Sequence, residues 1–545
     1  MPTPPTLKDF FCAKRYLVIE DFDNMRQILR DLLLKCGGKR IDLAADDREA
    51  ITAMSKNAYD VVLCDYHLGK GRNGQQLLEE ARHYGHIAPS TIFIMVTAEK
   101  TAEMVMGIVE FHPDDYLVKP ITEAMLQNRL LRLIKRRSDY AAIEQALKEN
   151  DYTRAIELCN AVMASDRATE TELTRRKAEI YLHLKDYPHA RATYEKQMGV
   201  REVSWASTGL AKVAMLEGHF AQAQSLLEKT IRDNPAYLEA HDWLARALTQ
   251  QDKHQEAQKI LQHAVSVSPH CAQRQRVLGD VALKCADLDT ADQAYRRAMT
   301  LSEKSTIKTP DAHIGLAHVH TERGDTGAAL KVLAQVTNDF SSSEARLQAR
   351  AAQVKVHLRS GDSDRAHALA EELANQVASG AHELAAEATL SLAEALMEVG
   401  KHEQGSAMLQ FVARNHGEND TVIQRAQAIY SQSGLAEEGA RLIEAARTQA
   451  VTIMDAGVRL ASQGKLDEGL ASMREAMQLL PNNPRLLLNH AWLITASLEK
   501  QGWNHDRYKE ALRLIDTARR FAPGETRINE LRKRLEKLIK APGVQ

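Results

Sequence analysis

Val18-Ile19-Glu20-Asp21 and Val61-Val62-Leu63-Cys64-Asp65 share one design with Ile92-Phe93-Ile94-Met95-Val96-Thr97 and Asp115-Tyr116-Leu117-Val118-Lys119. Each is a short apolar run that ends in a polar residue. A run of four or five apolar residues between helical patterns reads as a buried parallel strand. A polar residue just past the carboxyl end of such a strand sits where open α/β sheets build their sites. Glu20, Asp21, Asp65, Thr97 and Lys119 therefore converge on one sheet edge. Carboxylates about 4 Å apart repel by roughly 4 kcal/mol per pair at a mid-range dielectric, so three of them call for a cation.

Outward from these runs, strands read at 15–19, 41–45, 60–64, 91–96 and 115–118. Helical patterns fall at 24–36, 47–57, 74–84, 100–110 and 121–136. Five βα units of these lengths predict an α/β doubly wound (flavodoxin-like) sheet with helices on both faces.

The segment from Val18-Ile19-Glu20-Asp21-Phe22-Asp23 to Ile28-Leu29, with Asp65, Thr97 and Lys119-Pro120 in order behind it, resembles the receiver domain of response regulators over residues 14–137. The resemblance implies that Asp65 is the phosphoacceptor for a histidine kinase or phosphotransfer protein. It implies a Mg²⁺ site built from Glu20, Asp21, Asp65 and the main-chain carbonyl of His67, with Glu20 acting through water. Glu20 stands where aspartate is more frequent. Thr97 would donate its hydroxyl to the phosphoryl group, with small Ala98 behind it leaving the acceptor open. Lys119 would pair with Asp65 or its phosphate, Tyr116 would follow Thr97 as an aromatic switch, and Pro120 would take a cis bond. The loop Asp65–Gly74 departs from the pattern: it lacks a proline four residues after the acceptor and is one residue longer. His67 and Glu99 occupy positions that tune phosphate lifetime in the family.

After Arg137 the strand signals stop and a period takes over. Ala190, Ala223, Ala257 and Ala291 are 33, 34 and 34 residues apart, each four or five residues after a turn. This is the tetratricopeptide (TPR) period. Weaker anchors continue the series at Ala155, Ala329, Ala366, Gly405, Gly439, Gly469 and Ala511, giving about eleven repeats. Pro235, Pro269, Pro481 and Pro523 stop second helices, and Pro188 suits a first turn. The expected organisation is a tail at 1–13, a receiver at 14–137, an all-α TPR solenoid at 138–524, and a capping helix and tail at 525–545. Ser302–Pro310 and residues 415–421 read as soft points in the array, and Leu498–Tyr508 as an enlarged turn.

Composition bounds the function. Net charge is −2 over 545 residues, and acids and bases balance on both sides of residue 137, so no nucleic-acid partner is expected. No apolar run reaches a membrane span and the N-terminus lacks a signal-peptide pattern. Six scattered cysteines fit reduced thiols in a cytoplasmic protein. The repeats hold no grouped nucleophile, base or metal motif, so no enzyme activity is expected beyond the receiver's own phosphoryl transfer and dephosphorylation. The inner positions Arg175, Glu179, Thr208, Lys212, Asp242, Arg246, Arg276 and Asp280 mix both signs and name no ligand. The chain therefore reads as a two-component response regulator in which Asp65 phosphorylation modulates protein or peptide binding by the repeats, with a second copy of the chain as another partner. The alternatives are transcriptional control through protein or peptide binding, and a TPR scaffold independent of phosphorylation.

Overall fold

The computed structural model describes residues 11–69, 71–88, 90–98, 113–149, 151–166, 169–305, 308–378, 385–521 and 527–539. The helix expected at 100–110, Glu99, Pro523, most of the N-terminal tail and the end of the C-terminal tail lie outside the described residues. Five strands, β1 Arg15–Ile19, β2 Arg40–Ala44, β3 Val61–Asp65, β4 Ile92–Thr97 and β5 Asp115–Val118, form one parallel sheet in the order β2-β1-β3-β4-β5. Helices α1 Asp23–Cys36, α2 Asp47–Lys56, α3 Gly74–His83 and α4 Glu123–Lys148 follow β1, β2, β3 and β5. Alternation along the buried strands divides the core in two. Leu17, Ile19, Val62, Cys64, Phe93 and Met95 pack toward α2 and α3, while Tyr16, Val18, Leu63, Ile94, Val96 and Leu117 pack with α1 and α4.

Helix α4 runs 26 residues, well past the end expected at 136. The boundary expected at 137/138 lies inside it. No proline or glycine interrupts Thr122–Glu149, and the helix has two apolar surfaces in series. Leu126, Leu130, Leu133 and Ile134 belong to the sheet's core. Tyr140, Ile143 and Ala146 pack with Ala155, Cys159 and Leu173 of the first repeat. Arg137 bonds Asp114 at 2.6 Å and reaches Glu144 at 3.4 Å, and Glu144 also accepts from Arg176 at 2.5 Å. One helix thus serves as the last of the sheet domain and the first of the array.

The repeats are helix pairs whose crossings admit only a small side chain. Ala155, Ala190, Ala223, Ala257, Ala291, Ala329, Ala366 and Ala511 are fully buried. At Gly405 and Gly439 a Cβ would lie 2.7 Å from Met397 and 2.2 Å from Tyr430. The same closeness faces Gly209, 2.3 Å from the Tyr194 ring. Helices end ahead of Pro235, Pro269 and Pro481, and Pro188 sits in the first turn of Tyr187–Val200.

Two expectations change. Leu498–Tyr508 is no enlarged turn: Pro484–Gln501 continues through Leu498, and only Gly502-Trp503-Asn504 separates it from His505–Phe521. The Asn504 side chain caps that next helix by accepting from the Arg507 amide at 2.9 Å. Residues 415–421 are braced at their start, because buried Asn415 accepts from the Asn482 amide at 2.9 Å and Asn483 donates to the Arg414 carbonyl at 3.0 Å. The chain forms two compact units, 1–312 and 313–545, which part inside the helix Asp311–Glu322. In the second unit, Arg527–Ile539 covers the last repeat with Ile528, Leu531 and Leu535.

Turns within the repeats use a left-handed residue. Glycine fills it at Gly218, Gly324, Gly361, Gly400, Gly434 and Gly464, but Lys185, Asp252 and Ala286 adopt it at φ 57°. All three are exposed, and a side chain there costs about 1–2 kcal/mol that glycine's greater chain entropy only partly offsets. The triple replacement by glycine is expected to stabilise the first unit by about 1–2 kcal/mol. Thermal unfolding followed by circular dichroism would check this; a lower midpoint would contradict it.

Candidate functional site

The carboxyl ends of β1, β3, β4 and β5 put their terminal polar residues side by side, because parallel register brings Ile19 opposite Cys64 and Asp65 opposite Val96. Glu20 and Asp65 are buried and Asp21 is half-buried. One oxygen from each of the three lies within 4.8 Å of the others. Lys119 follows β5 and reaches across: its Nζ donates to Glu20 Oε2 at 2.8 Å and to Asp65 Oδ2 at 2.8 Å. Burial opposes the Lys119 charge, yet its bonds to Asp65 and Glu20 raise its pKa. Burial raises the Glu20 pKa, and the neighbouring Asp65 adds to that against the pull of Lys119.

The backbone fixes this arrangement. The Lys119 amide donates to the Thr97 carbonyl at 2.8 Å, and the Lys119–Pro120 bond is cis. Thr97 is fully buried at the end of β4 and Ala98 beside it is exposed. Tyr116 is 37 % exposed and pairs with Met95, two positions from Thr97 on the same sheet face. His67 lies in the exposed part of the loop. Gly69, left-handed at φ 68°, closes that loop over Asp21, whose Oδ2 lies 3.5 Å from where a Cβ would stand.

Glu20 Oε1 and Asp21 Oδ1 are buried without a hydrogen-bond partner. Unsatisfied buried carboxylate oxygens are costly. Hard, anionic oxygens at this spacing suit Mg²⁺ or Ca²⁺. Lys119 offsets charge on Glu20 and Asp65 but leaves these two atoms for a further cation, so the residues present fit the Mg²⁺ expectation.

Sequence reading missed how the loop after Asp65 is held. Arg72 donates to Asp47 at 2.6 Å and also pairs with Glu80, tying the loop to α2 and α3. Gly71 packs so closely on Asp47 that a Cβ would overlap its carboxylate. At Gly74 a Cβ would lie 2.3 Å from the Asp65 carbonyl oxygen. The signal available was the pair of glycines flanking Arg72 and Asn73, which marks close backbone approach. Cys64 is a core thiol whose pKa burial pushes up.

In the repeats, many of the expected inner charges are neutralised locally. Arg175 pairs with Glu179, Lys212 with Glu239, Arg274 with Asp242 and Arg276 with Asp280. Arg246 and Lys212 lie over the Trp243 ring. Among the described residues the acidic cluster at Glu20, Asp21 and Asp65 is the group that can hold a metal ion.

Residues 16–131 match the response regulator receiver domain family, and 214–281, 310–335 and 347–372 match tetratricopeptide repeat families. Chemotaxis protein CheY-3 of Vibrio cholerae is 29% identical over 122 residues, which is 22% of this chain and 92% of that protein. Regulatory protein VanRB of Enterococcus faecalis is 30% identical over 181 residues, 33% of this chain and 77% of that protein. A solved tetratricopeptide repeat protein from Parabacteroides merdae is 13% identical, covers 43% of this chain and 91% of that one, and has a TM-score of 0.33.

Saturating Mg²⁺ is expected to stabilise the folded chain by roughly 2–3 kcal/mol at about a hundredfold excess over its dissociation constant. Asp21→Asn should abolish most of that gain while leaving the metal-free protein folded. Thermal melts with and without Mg²⁺ would check both; an equal gain in the variant would remove Asp21 from the site.

Proposed function

The chain belongs to the response regulators, with a receiver domain at its N-terminus and tetratricopeptide repeats after it, and on that premise we propose that Asp65 accepts a phosphoryl group that controls what the repeats bind. The single observation behind this reading is the contact of one lysine with two buried carboxylates beside a third. Asp65 is oriented by Lys119, whose Nζ donates to its Oδ2 at 2.8 Å. In the proposed step a carboxylate oxygen of Asp65 attacks the phosphorus of a phosphohistidine. The P–O bond forms, the P–N bond breaks, and its electron pair returns to the donor imidazole. Bound Mg²⁺ would supply charge neutralisation for the phosphoryl oxygens, held by Glu20, Asp21, Asp65 and the His67 carbonyl.

The chain's own residues do the rest. Lys119 is a mobile point charge that can exchange Asp65 Oδ2 for a phosphoryl oxygen. Thr97 carries the hydroxyl at the adjoining strand end, and Ala98 is too small to cover it. Tyr116 shares the Thr97 face of the sheet and is exposed enough to change its position. These roles fit a receiver spanning 14–137, a solenoid spanning 138–524 and a capping segment at 525–545, with α4 common to the first two. They also fit a cytoplasmic regulator that turns over no metabolite and acts through a histidine kinase or phosphotransfer protein on one side and a protein or peptide ligand on the other. The paired charges of the groove suit a ligand recognised by shape and hydrogen bonds more than by net charge.

Incubation with acetyl phosphate and Mg²⁺ is expected to add one phosphoryl mass to the intact protein, seen by mass spectrometry, and Asp65→Asn should abolish it. Lys119→Arg should retain uptake and impair its consequences for partner binding. Uptake at an unchanged level in Asp65→Asn would assign the acceptor elsewhere.

A further inference from the structure

Helix α3 meets the repeats far along the chain from α4, and the contact leaves a cavity. Gln76 Nε2 donates to the Leu301 carbonyl at 3.0 Å, and Lys304 Nζ donates to the Gly71 carbonyl at 3.1 Å. Beside these bonds lies a cavity of about 230 Å³. Pockets for drug-sized ligands run from about 300 to 1,000 Å³, so this one suits a small metabolite. Its two walls differ in sign. On the sheet domain the wall carries the Glu79 carboxyl, flanked by the amides of Gln75 and Gln76. On the repeats it carries Arg276 and Lys308, together with the first turn of the helix Ala272–Lys284, whose dipole adds positive potential there. Ala298, Leu301 and Ala312 contribute apolar lining.

Glu79 and Arg276 both keep bonding capacity toward this space. Glu79 is half-buried and has no hydrogen-bond or ion-pair partner among the described residues. Burial raises its pKa to about 7, with no nearby charge to oppose the rise. Arg276 donates from Nη1 to Asp280 at 2.6 Å and from Nε to Gln273 at 3.4 Å, while its Nη2 donates to no described residue. Asp280 also accepts from the Tyr295 hydroxyl at 2.8 Å, so the carboxylate that holds the guanidinium is itself anchored. A ligand bearing only a cation would be opposed by Arg276 and Lys308, and one bearing only an anion by Glu79. One molecule with both groups satisfies each wall. We propose that this cavity binds a small zwitterion of the amino-acid class, its ammonium on Glu79 and its carboxylate on Arg276 and the first turn of Ala272–Lys284. The proposal does not rest on the reading of Asp65. Ammonium to carboxylate and guanidinium to carboxylate are charge-assisted bonds, stronger than the neutral amide contacts beside them. A bound zwitterion therefore ties α3 to the repeats from inside the cavity.

Isothermal titration calorimetry of the full-length protein tests this with glycine, β-alanine, γ-aminobutyrate, δ-aminovalerate and ε-aminocaproate, a series in which the two charges move steadily apart. Butylammonium and butyrate serve as single-charge controls. One chain length is expected to bind best, and about tenfold or more tightly than either control, the effect of one charged hydrogen bond. Glu79→Gln, which keeps the shape of the side chain, should weaken that ligand about tenfold without weakening butyrate. Arg276→Gln should weaken it by a similar factor without weakening butylammonium. Thermal melts without ligand check that both variants fold; should Arg276→Gln melt early, Glu79→Gln alone decides. Hydrogen exchange with the best ligand bound should slow in α3 and in Ala272–Asp280 together. No saturable binding by the series, or a control that binds as tightly as its best member, would overturn the proposal. A best ligand that binds Glu79→Gln and the wild type alike would overturn it too, as would protection confined to one of the two walls.

Discussion

Three carboxylates gathered at one sheet edge cannot coexist there without positive charge. Much of the sheet domain follows from how that is met. Lys119 has to arrive from the neighbouring strand, so β5 must pair with β4 in the register that sets Val118 beside Thr97. The loop after Asp65 has to fold back over Asp21 and still let α3 begin against the Asp65 main chain, which is why Gly69 and Gly74 stand where a side chain would strain or collide. Two carboxylate oxygens remain unsatisfied after Lys119 has made its bonds. Arg72 ties the loop beside them to Asp47 and Glu80.

The repeats obey a different rule, which is steric and local. A helix crossing closes only where the facing residue is alanine or glycine, and this single demand recurs from Ala155 to Ala511. It leaves the remaining surface free to vary, and here that surface is occupied largely by ion pairs within or between neighbouring helices. Such pairs contribute little stability individually. They do leave these repeats with paired charges of both signs, which sets them apart from a surface designed to catch a highly charged partner.

Much of this was legible in the chain itself, and the limits have physical causes. The strands were readable because each is an apolar run with a polar stop, a pattern that survives without knowledge of what packs on it. Ala190, Ala223, Ala257 and Ala291 were readable because a steric demand repeated at fixed spacing leaves a period. The length of α4 was not, because Lys135-Arg136-Arg137 resembles a helix terminus and only tertiary contacts of Tyr140 and Ile143 show that the helix continues. Leu498–Tyr508 misled for the converse reason: residues out of phase with the repeat look like a loop, yet they extend a helix. Arg72 and Gln76 gave no warning, since their partners Asp47 and Leu301 lie 25 and 225 residues away in sequence.

The uninterrupted course of α4 has a consequence for how such a protein could be built or rebuilt. A flexible linker lets two domains be exchanged freely, because their mutual orientation is undefined. A shared helix makes orientation a matter of counting. Each residue added or removed between Ile134 and Tyr140 would turn everything downstream by about 100° and displace it by about 1.5 Å along the axis. The first such step would break the bond of Arg137 to Asp114 if it fell before Arg137, or that of Arg137 to Glu144 if it fell after. Insertions here are therefore tolerable only near multiples of a helical turn, and a hybrid with another sheet domain has to preserve phase as strictly as a gear preserves its teeth.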